Sequence, residues 1–238
     1  MASPGKLRVG TSGYAYKEWK GSFYPEKFPD KEMLKYYSER FSTVEINYTF
    51  YRLPRESLLQ QWAQTVPEGF RFALKANQKI THIQRLRNCE EILKRFLEIA
   101  SVLQEGDHLG PILVQLPPNF TFDKPLLEDF LALRPTAFQF AFEARHPSWY
   151  TDETYDLLRH HNTALCLAET EKETPLEVLT ANFTYARLRQ EDYTPKQIKE
   201  WRTRFEGWMQ QGVDVNVFFK HEDSGTAPKY AQMLLGKK

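Results

Sequence analysis

Thr43-Val44-Glu45-Ile46-Asn47-Tyr48-Thr49-Phe50-Tyr51-Arg52-Leu53-Pro54 alternates with period two. The alternation sets Val44, Ile46, Tyr48 and Phe50 on one face and Glu45, Asn47, Thr49 and Tyr51 on the other. Amphipathic helical patterns flank the stretch on both sides, so it predicts a strand inside an α/β repeat. Strands of such repeats are normally covered by apolar side chains on both faces. A buried face of Glu, Asn and Thr departs from that rule, because buried polar groups need partners. The same departure recurs in later strands and is the first pointer to function.

Upstream, 7–13 (LRVGTSG) reads as a strand running into an aromatic-rich loop over 14–29. Helix-period apolar positions then fall at Met33, Leu34, Tyr37 and Phe41, with Asp30 as N-cap. Downstream, a helix through Leu58, Leu59, Trp62 and Val66 stops at Pro67-Glu68-Gly69, and 71–77 (RFALKAN) is a third strand. A long helix through Ile92, Phe96, Ala100 and Leu103 leads to a fourth strand at 110–116. Further strands read at 139–145, 163–169, 183–189 and 213–220. Helices fall between them through Leu126–Leu131 positions, 152–161 and Ile198–Trp208 positions, and a last one spans 228–235. Between strands six and seven, 174–181 offers only a short helical turn.

Eight strands alternating with helices, in 238 residues, point to an α/β fold: one (β/α)8 TIM-type barrel over 1–238, with a weak or missing helix between strands six and seven. Barrels of this type run to ~250 residues. The competing open, doubly wound sheet lacks support, since no G-x-G-x-x-G or P-loop follows any strand.

Composition narrows the function classes. The chain is 41% hydrophobic, with 32 basic against 31 acidic residues and a net charge of +1, which argues against a protein that coats polyanions while permitting a local basic pocket. Residues 1–6 run into the first strand without an apolar h-region, and no apolar run nears the ~20 residues of a membrane helix. With only Cys89 and Cys166, both read as reduced core thiols, the expectation is a cytoplasmic protein with no membrane segment and no obligate protein partner.

In such a barrel the chemistry sits at the C-terminal rim of the strands. Near those ends lie Ser12, Glu45, Asn47, Lys75, Asn77, Gln115, Glu143, Arg145, Glu169, Arg187, Arg189, Lys220 and Glu222. A structural core would place Val, Leu and Ile there, so these residues form either a self-satisfied polar plug or a functional pocket. Arg forks match carboxylate or phosphate geometry, so a small anionic ligand is expected, held by Lys75, Arg145, Arg187, Arg189 and Lys220. Glu45 and Glu143 are the acid/base candidates, because a partly dry pocket raises carboxyl pKa values toward neutrality. Lys75 is either a base or imine former, or an anion holder.

His146, just past strand five, is a fourth catalytic candidate; His221 and His82 also fall near the rim. A metal site drawn from Glu45, Glu143, His146, Glu169 or His221 lacks H-x-E, H-E-x-x-H or C-x-x-C spacing, so no metal ligand is assigned and no cofactor class is indicated. Tyr14, Tyr16, Trp19, Tyr51, Trp149 and Tyr150 are placed to ring the mouth, where aromatic faces stack sugars or bases.

Several of these segments carry a resemblance. Gly10-Thr11-Ser12-Gly13-Tyr14 with Trp19, Val44-Glu45-Ile46-Asn47 continuing through Pro54, Phe72-Ala73-Leu74-Lys75-Ala76, Gln115-Leu116-Pro117-Pro118 and Glu143-Ala144-Arg145-His146-Pro147-Ser148-Trp149 resemble the YecE-like family (domain of unknown function 72). The resemblance spans nearly the whole chain and implies a TIM-type barrel; it supplies no reaction. Departures come late. Tyr185-Ala186-Arg187-Leu188-Arg189-Gln190 stands where the family tends to Tyr-x-Arg-x-His-Gly, Phe219-Lys220-His221-Glu222 replaces a Phe-Asn-Asn-Asp-like segment, and Glu169 replaces an Asp. These changes make the rim more basic.

The leading expectation is an enzyme doing acid/base chemistry on a small anionic, sugar- or nucleotide-like molecule, with Asn47 and Gln115 orienting it. Two other readings remain open. One is nucleic-acid binding or repair, by analogy with metal-dependent barrel endonucleases; the other is a non-catalytic ligand-binding protein.

Overall fold

A computed structural model describes residues 3–169, 175–220 and 225–237. Eight parallel strands run in the order β1-β8-β7-β6-β5-β4-β3-β2. They are β1 (Leu7–Thr11), β2 (Thr43–Ile46), β3 (Arg71–Lys75), β4 (Leu109–Gln115), β5 (Phe140–Glu143), β6 (Ala164–Ala168), β7 (Phe183–Leu188) and β8 (Asp214–Phe219). The helices are α1 (Met33–Ser38), α2 (Tyr48–Tyr51), α3 (Glu56–Thr65), α4 (Glu90–Glu105), α5 (Lys124–Ala132), α6 (Asp152–His160), α7 (Pro195–Gln210) and α8 (Thr226–Leu234). The TIM-type barrel read from the alternation is therefore the fold. No helix lies among the described residues between β6 and β7, where residues 170–174 are not described.

Two expectations are corrected. The strand over residues 43–54 ends at Ile46, and Tyr48–Tyr51 forms a single helical turn. Asn47 takes helical angles there, and Thr49 Oγ1 donates to the carbonyls of Ile46 and Lys75 at 3.2 and 2.6 Å. That tertiary anchor overrides the β preference of the Tyr-Thr-Phe-Tyr run. Asp30 does not cap α1: it opens a short 3-10 turn, and its carboxylate pairs with Lys20 at 2.7 Å.

Where β1 meets β2, the barrel closes through a Ser12–Glu45 bridge and the Gly13 N–H, which donates to the Glu45 carbonyl at 2.8 Å. Lower down, Tyr37 from α1 inserts its hydroxyl, accepting from the Thr11 N–H at 2.7 Å and donating to the Thr43 carbonyl at 3.1 Å. Gly10 makes this approach possible, since a Cβ there would sit 1.9 Å from the Thr43 carbonyl oxygen. Tyr37→Phe is expected to lose about 2–4 kcal/mol in chemical denaturation, because it strands a buried donor and a buried acceptor. A loss under about 1 kcal/mol would mean the seam does not depend on the hydroxyl.

The main core lies between the barrel wall and the helices. Inside the barrel, Ala73, Leu113, Ala141, Ala164 and Cys166 pack with the rings of Phe183, Tyr185 and Phe218. This filled layer is the floor on which the mouth is built. At the opposite, N-terminal end a polar cavity of about 300 Å³ has its charges paired internally, Arg8 with Asp214 at 3.0 Å and Arg71 with Asp107 at 2.6 Å. Among the described residues no helix is long and apolar enough to cross a membrane.

Candidate active site at the barrel mouth

Alternation in β2, β5 and β7 points Glu45, Glu143 and Arg187 to the barrel axis, and the strand registers bring them together. Arg187 is 2% exposed and holds both carboxylates at once: Nη1 donates to Glu143 Oε2 at 2.6 Å and Nη2 to Glu45 Oε1 at 2.8 Å. The remaining lone pairs are taken by neighbours. Ser12 Oγ donates to Glu45 Oε1 at 2.5 Å and the Tyr185 hydroxyl to Oε2 at 2.7 Å. Asn47 Nδ2 in turn donates to Ser12 Oγ at 2.8 Å. Gln115 Nε2 donates to Glu143 Oε1 at 2.7 Å, as its neighbouring register position on β4 allows, and Arg145 Nε adds a bond at 3.2 Å.

This network corrects the expected pKa direction of the two glutamates. Burial acts to raise Glu45, but the Arg187 charge and hydrogen bonds from Ser12, Tyr185 and Arg187 outweigh it and hold the carboxyl below its ordinary value. For Glu143, burial is likewise overcome by Arg187, Arg189 and Arg145, and the carboxyl is held far below the usual range. Both are fixed carboxylates at neutral pH, fit to position cations and hydrogen-bond donors rather than to transfer protons. Lys75 moves the other way: burial, reinforced by Arg187, lowers its amine to about 8. Its Nζ lies 4.0 Å over the Phe50 ring.

Beside this network a cavity of about 700 Å³ opens between the ends of β5, β6 and β7, lined by Glu143, Arg145, Cys166, Glu169 and Arg189, with Tyr150 and Leu176. Arg189 is the unusual member. Its Nη2 is 3.7 Å from Glu143 Oε1, within ion-pair range but beyond hydrogen-bond reach, and its buried Nε and Nη2 have no hydrogen-bond partner among the described residues. Glu169 does not pair with that guanidinium. It accepts from the Tyr193 hydroxyl and from the backbone N–H groups of Arg189 and Gln190, the last two at 3.2 and 3.4 Å. Among the described residues, Lys75, Arg145, Arg187 and Arg189 thus face Glu45, Glu143 and Glu169 at one mouth.

Other sequence candidates are placed differently. Trp19 and Trp149 are fully buried and present no ring face at the mouth, so neither stacks a ligand. Trp19 packs among Tyr16, Phe23 and Tyr24, whereas Trp149 packs on Phe120, Phe122 and Phe142 and donates its indole N–H to the Phe120 carbonyl at 2.6 Å. The aromatic abundance of both loops served packing. Asn77 is structural as well, donating to the Thr49 carbonyl at 3.1 Å and accepting from the Lys79 N–H at 3.0 Å. His146 caps the short turn Pro147–Trp149, its Nδ1 accepting from the Ser148 N–H at 3.2 Å. Tyr51 is exposed on α2.

Tyr14 lines a separate, mostly apolar pocket with Tyr16, Asn47, Tyr48 and Trp62. Lys220 directly follows β8, its backbone N–H bonded to the Leu188 carbonyl at 3.0 Å. His221 and Glu222 lie outside the described residues. His82 rests edge-on against the Phe50 ring at 4.9 Å. The sequence reading missed Tyr185 and Cys166 as members of the site. Tyr185 shares a face with Arg187 and was findable by alternation; Cys166 looks like any core thiol. Its Sγ lies 4.0 Å from Glu143 Oε2, and burial together with that carboxylate pushes the thiol well up. Among the described residues, no three His, Cys, Asp or Glu side chains converge as a metal-ligand group.

The chain is similar to several known proteins. It is 33% identical over 118 residues to the UPF0759 protein YecE of Escherichia coli K12, a match covering 49% of this chain and 43% of that relative. It is 24% identical to the UPF0759 protein YunF of Bacillus subtilis 168, over 96% of this chain and 93% of the relative. Among solved structures, a DUF72 family protein (TM1631) from Thermotoga maritima superposes with a TM-score of 0.88 at 26% identity, covering 97% of this chain and 98% of that one. A DUF72 family protein (EF0366) from Enterococcus faecalis has the same fold, with a TM-score of 0.82 at 19% identity over 97% of this chain and 94% of its own. The model of the family described as "Protein of unknown function DUF72" matches residues 8–237, a span containing every strand and helix of the barrel but the first residue of β1, and the chain belongs to that family.

Proposed function

We propose that this protein is an enzyme that binds a small molecule bearing a phosphate or carboxylate at the C-terminal mouth of its barrel and acts on it by proton transfer. The observation that carries the reading is the Arg189 guanidinium, buried on the cavity wall with two N–H-bearing nitrogens unbonded. An unmet buried donor costs roughly 1–3 kcal/mol, and more when charged. Such groups in native proteins call for a partner, and an anionic ligand supplies it. Arg145, half-exposed at the same cavity, adds a second fork.

In this reading Glu45 and Glu143 are electrostatic anchors held by Arg187, Asn47 and Gln115 keep them oriented, and Lys75, with its amine lowered to about 8, is the group that moves the proton. The test is thermal denaturation against orthophosphate, sugar phosphates, nucleotides, small carboxylates and a single-stranded oligonucleotide. A ligand of the native state at 100 times its Kd stabilises by about 2.7 kcal/mol. At least one small anion is expected to stabilise the wild type and to lose the effect in Arg189→Gln. Silence across the small anions would refute the reading, and a response to the oligonucleotide alone would move it to nucleic-acid binding.

A further inference from the structure

Among the described residues, no carboxylate of the mouth is bonded to the Lys75 amine. Arg145, Arg187 and Arg189 all point at Glu143, at 3.2, 2.6 and 3.7 Å. Lys75 forms no ion pair or hydrogen bond through Nζ among the described residues and rests instead over Phe50. Its backbone is held, by contrast, because the carbonyl accepts from Thr49 Oγ1 at 2.6 Å and its strand register pairs it with Leu113 of β4. A half-buried amine with a fixed base, an apolar flank and no partner is disposed for chemistry at nitrogen rather than for holding structure together.

We propose that Lys75 is a nucleophile that forms an imine with a carbonyl group on the anionic molecule, which makes the substrate class a small oxo acid or a phosphorylated aldehyde or ketone. The inference rests on the anion-binding reading above and adds the reacting group. Arg189 and Arg145 would hold the anionic end while the carbonyl carbon meets Nζ. The neutral amine attacks that carbon; the new C–N bond forms as the C=O π pair moves to oxygen, which takes a proton. The carbinolamine then loses this oxygen as water, both water hydrogens coming from the amine by way of solvent, and the nitrogen lone pair closes the C=N bond. Amine and carbonyl become imine and water, with no change of oxidation state.

Burial and the Arg187 charge, opposed by Glu45 and Glu143, leave the amine at about 8. Near neutrality about one amine in ten is therefore in the nucleophilic form, against a far smaller share for an ordinary lysine. Among the described residues, Arg145 and the His82 ring, which shares Phe50 with Lys75, are the further titratable groups beside it.

The full chain is incubated near neutral pH with pyruvate, 2-oxoglutarate, glyceraldehyde 3-phosphate or dihydroxyacetone phosphate, then reduced with borohydride and mapped by mass spectrometry. With at least one probe the expected result is a reduced adduct on Lys75, at least ten times more abundant than on any other lysine. Orthophosphate should suppress it, and Arg189→Gln should reduce it about tenfold. In Lys75→Arg, which keeps the charge and cannot form the adduct, it should vanish while the circular dichroism stays unchanged. No Lys75 adduct from any probe, or labelling spread evenly over surface lysines, overturns the proposal. If that happens while a carbonyl-free anion still raises the melting temperature, the imine falls and the anion site stands. An adduct on Lys75 that neither orthophosphate nor Arg189→Gln affects overturns the anion site instead.

Discussion

Arg187→Met is expected to cost about 3–5 kcal/mol of stability, the loss typical of removing one partner from a buried ion pair. In a chain of this length that lowers the melting temperature by on the order of 10 °C. The expectation follows from how Arg187 is used: one guanidinium bridges two carboxylates that are 0% and 1% exposed. Without it, Glu143 keeps only Arg145 and the longer Arg189 contact, while Glu45 has no ion-pair partner left among the described residues and is expected to take up a proton. Calorimetry at neutral pH measures the loss. The triple variant Glu45→Gln, Arg187→Met, Glu143→Gln separates charge from packing: it removes the Glu45–Arg187–Glu143 charges together, leaves Arg189 as the residual buried charge, and should recover part of the stability. If Arg187→Met alone loses less than about 1 kcal/mol, water must reach the cluster and the buried triad is not the hub of the mouth.

The same triad makes the protein acid-labile in a defined window. Both carboxyls are held lower in the folded chain than their ordinary value of 4.5, with Arg187 opposing burial in each. The native state therefore binds fewer protons than the unfolded one as the pH drops. The stabilisation is complete above the unfolded carboxyl pKa and is lost progressively below it, as pH falls toward the depressed folded values. Unfolding free energies from urea denaturation should be level from pH 7 to about 5 and then fall, by an amount on the order of a few kcal/mol by about pH 3. The triple variant should show a clearly flatter decline across that range. Equal slopes in the two proteins would mean that acid unfolding is driven by other carboxylates and that this pair is not depressed by Arg187.

Most of what determined the architecture could be read directly. Period-two runs ending in polar residues, a helical stretch halted at Pro67-Glu68-Gly69, and the absence of a glycine-rich phosphate turn all pointed to a barrel, because each records a local choice of dihedral angles. Alternation also selected Glu45, Gln115, Glu143, Arg145, Arg187 and Arg189 as rim residues, since a strand's period dictates which side chains turn to the axis. What alternation leaves undetermined is the company those side chains keep.

Only closure of the barrel brought β2, β5 and β7 near enough for one arginine to hold two glutamates, and that contact reversed the pKa direction burial alone suggests. Only the tertiary anchor of Thr49 turned the second half of the 43–54 stretch from strand to helix. Packing likewise drew Trp19 and Trp149 out of reach of any ligand, although their sequence positions place them beside the mouth. In each case the sequence determined local direction and residue type. The tertiary structure decided the partners, because charge, dielectric and exposure at a site are set by residues far away in the chain.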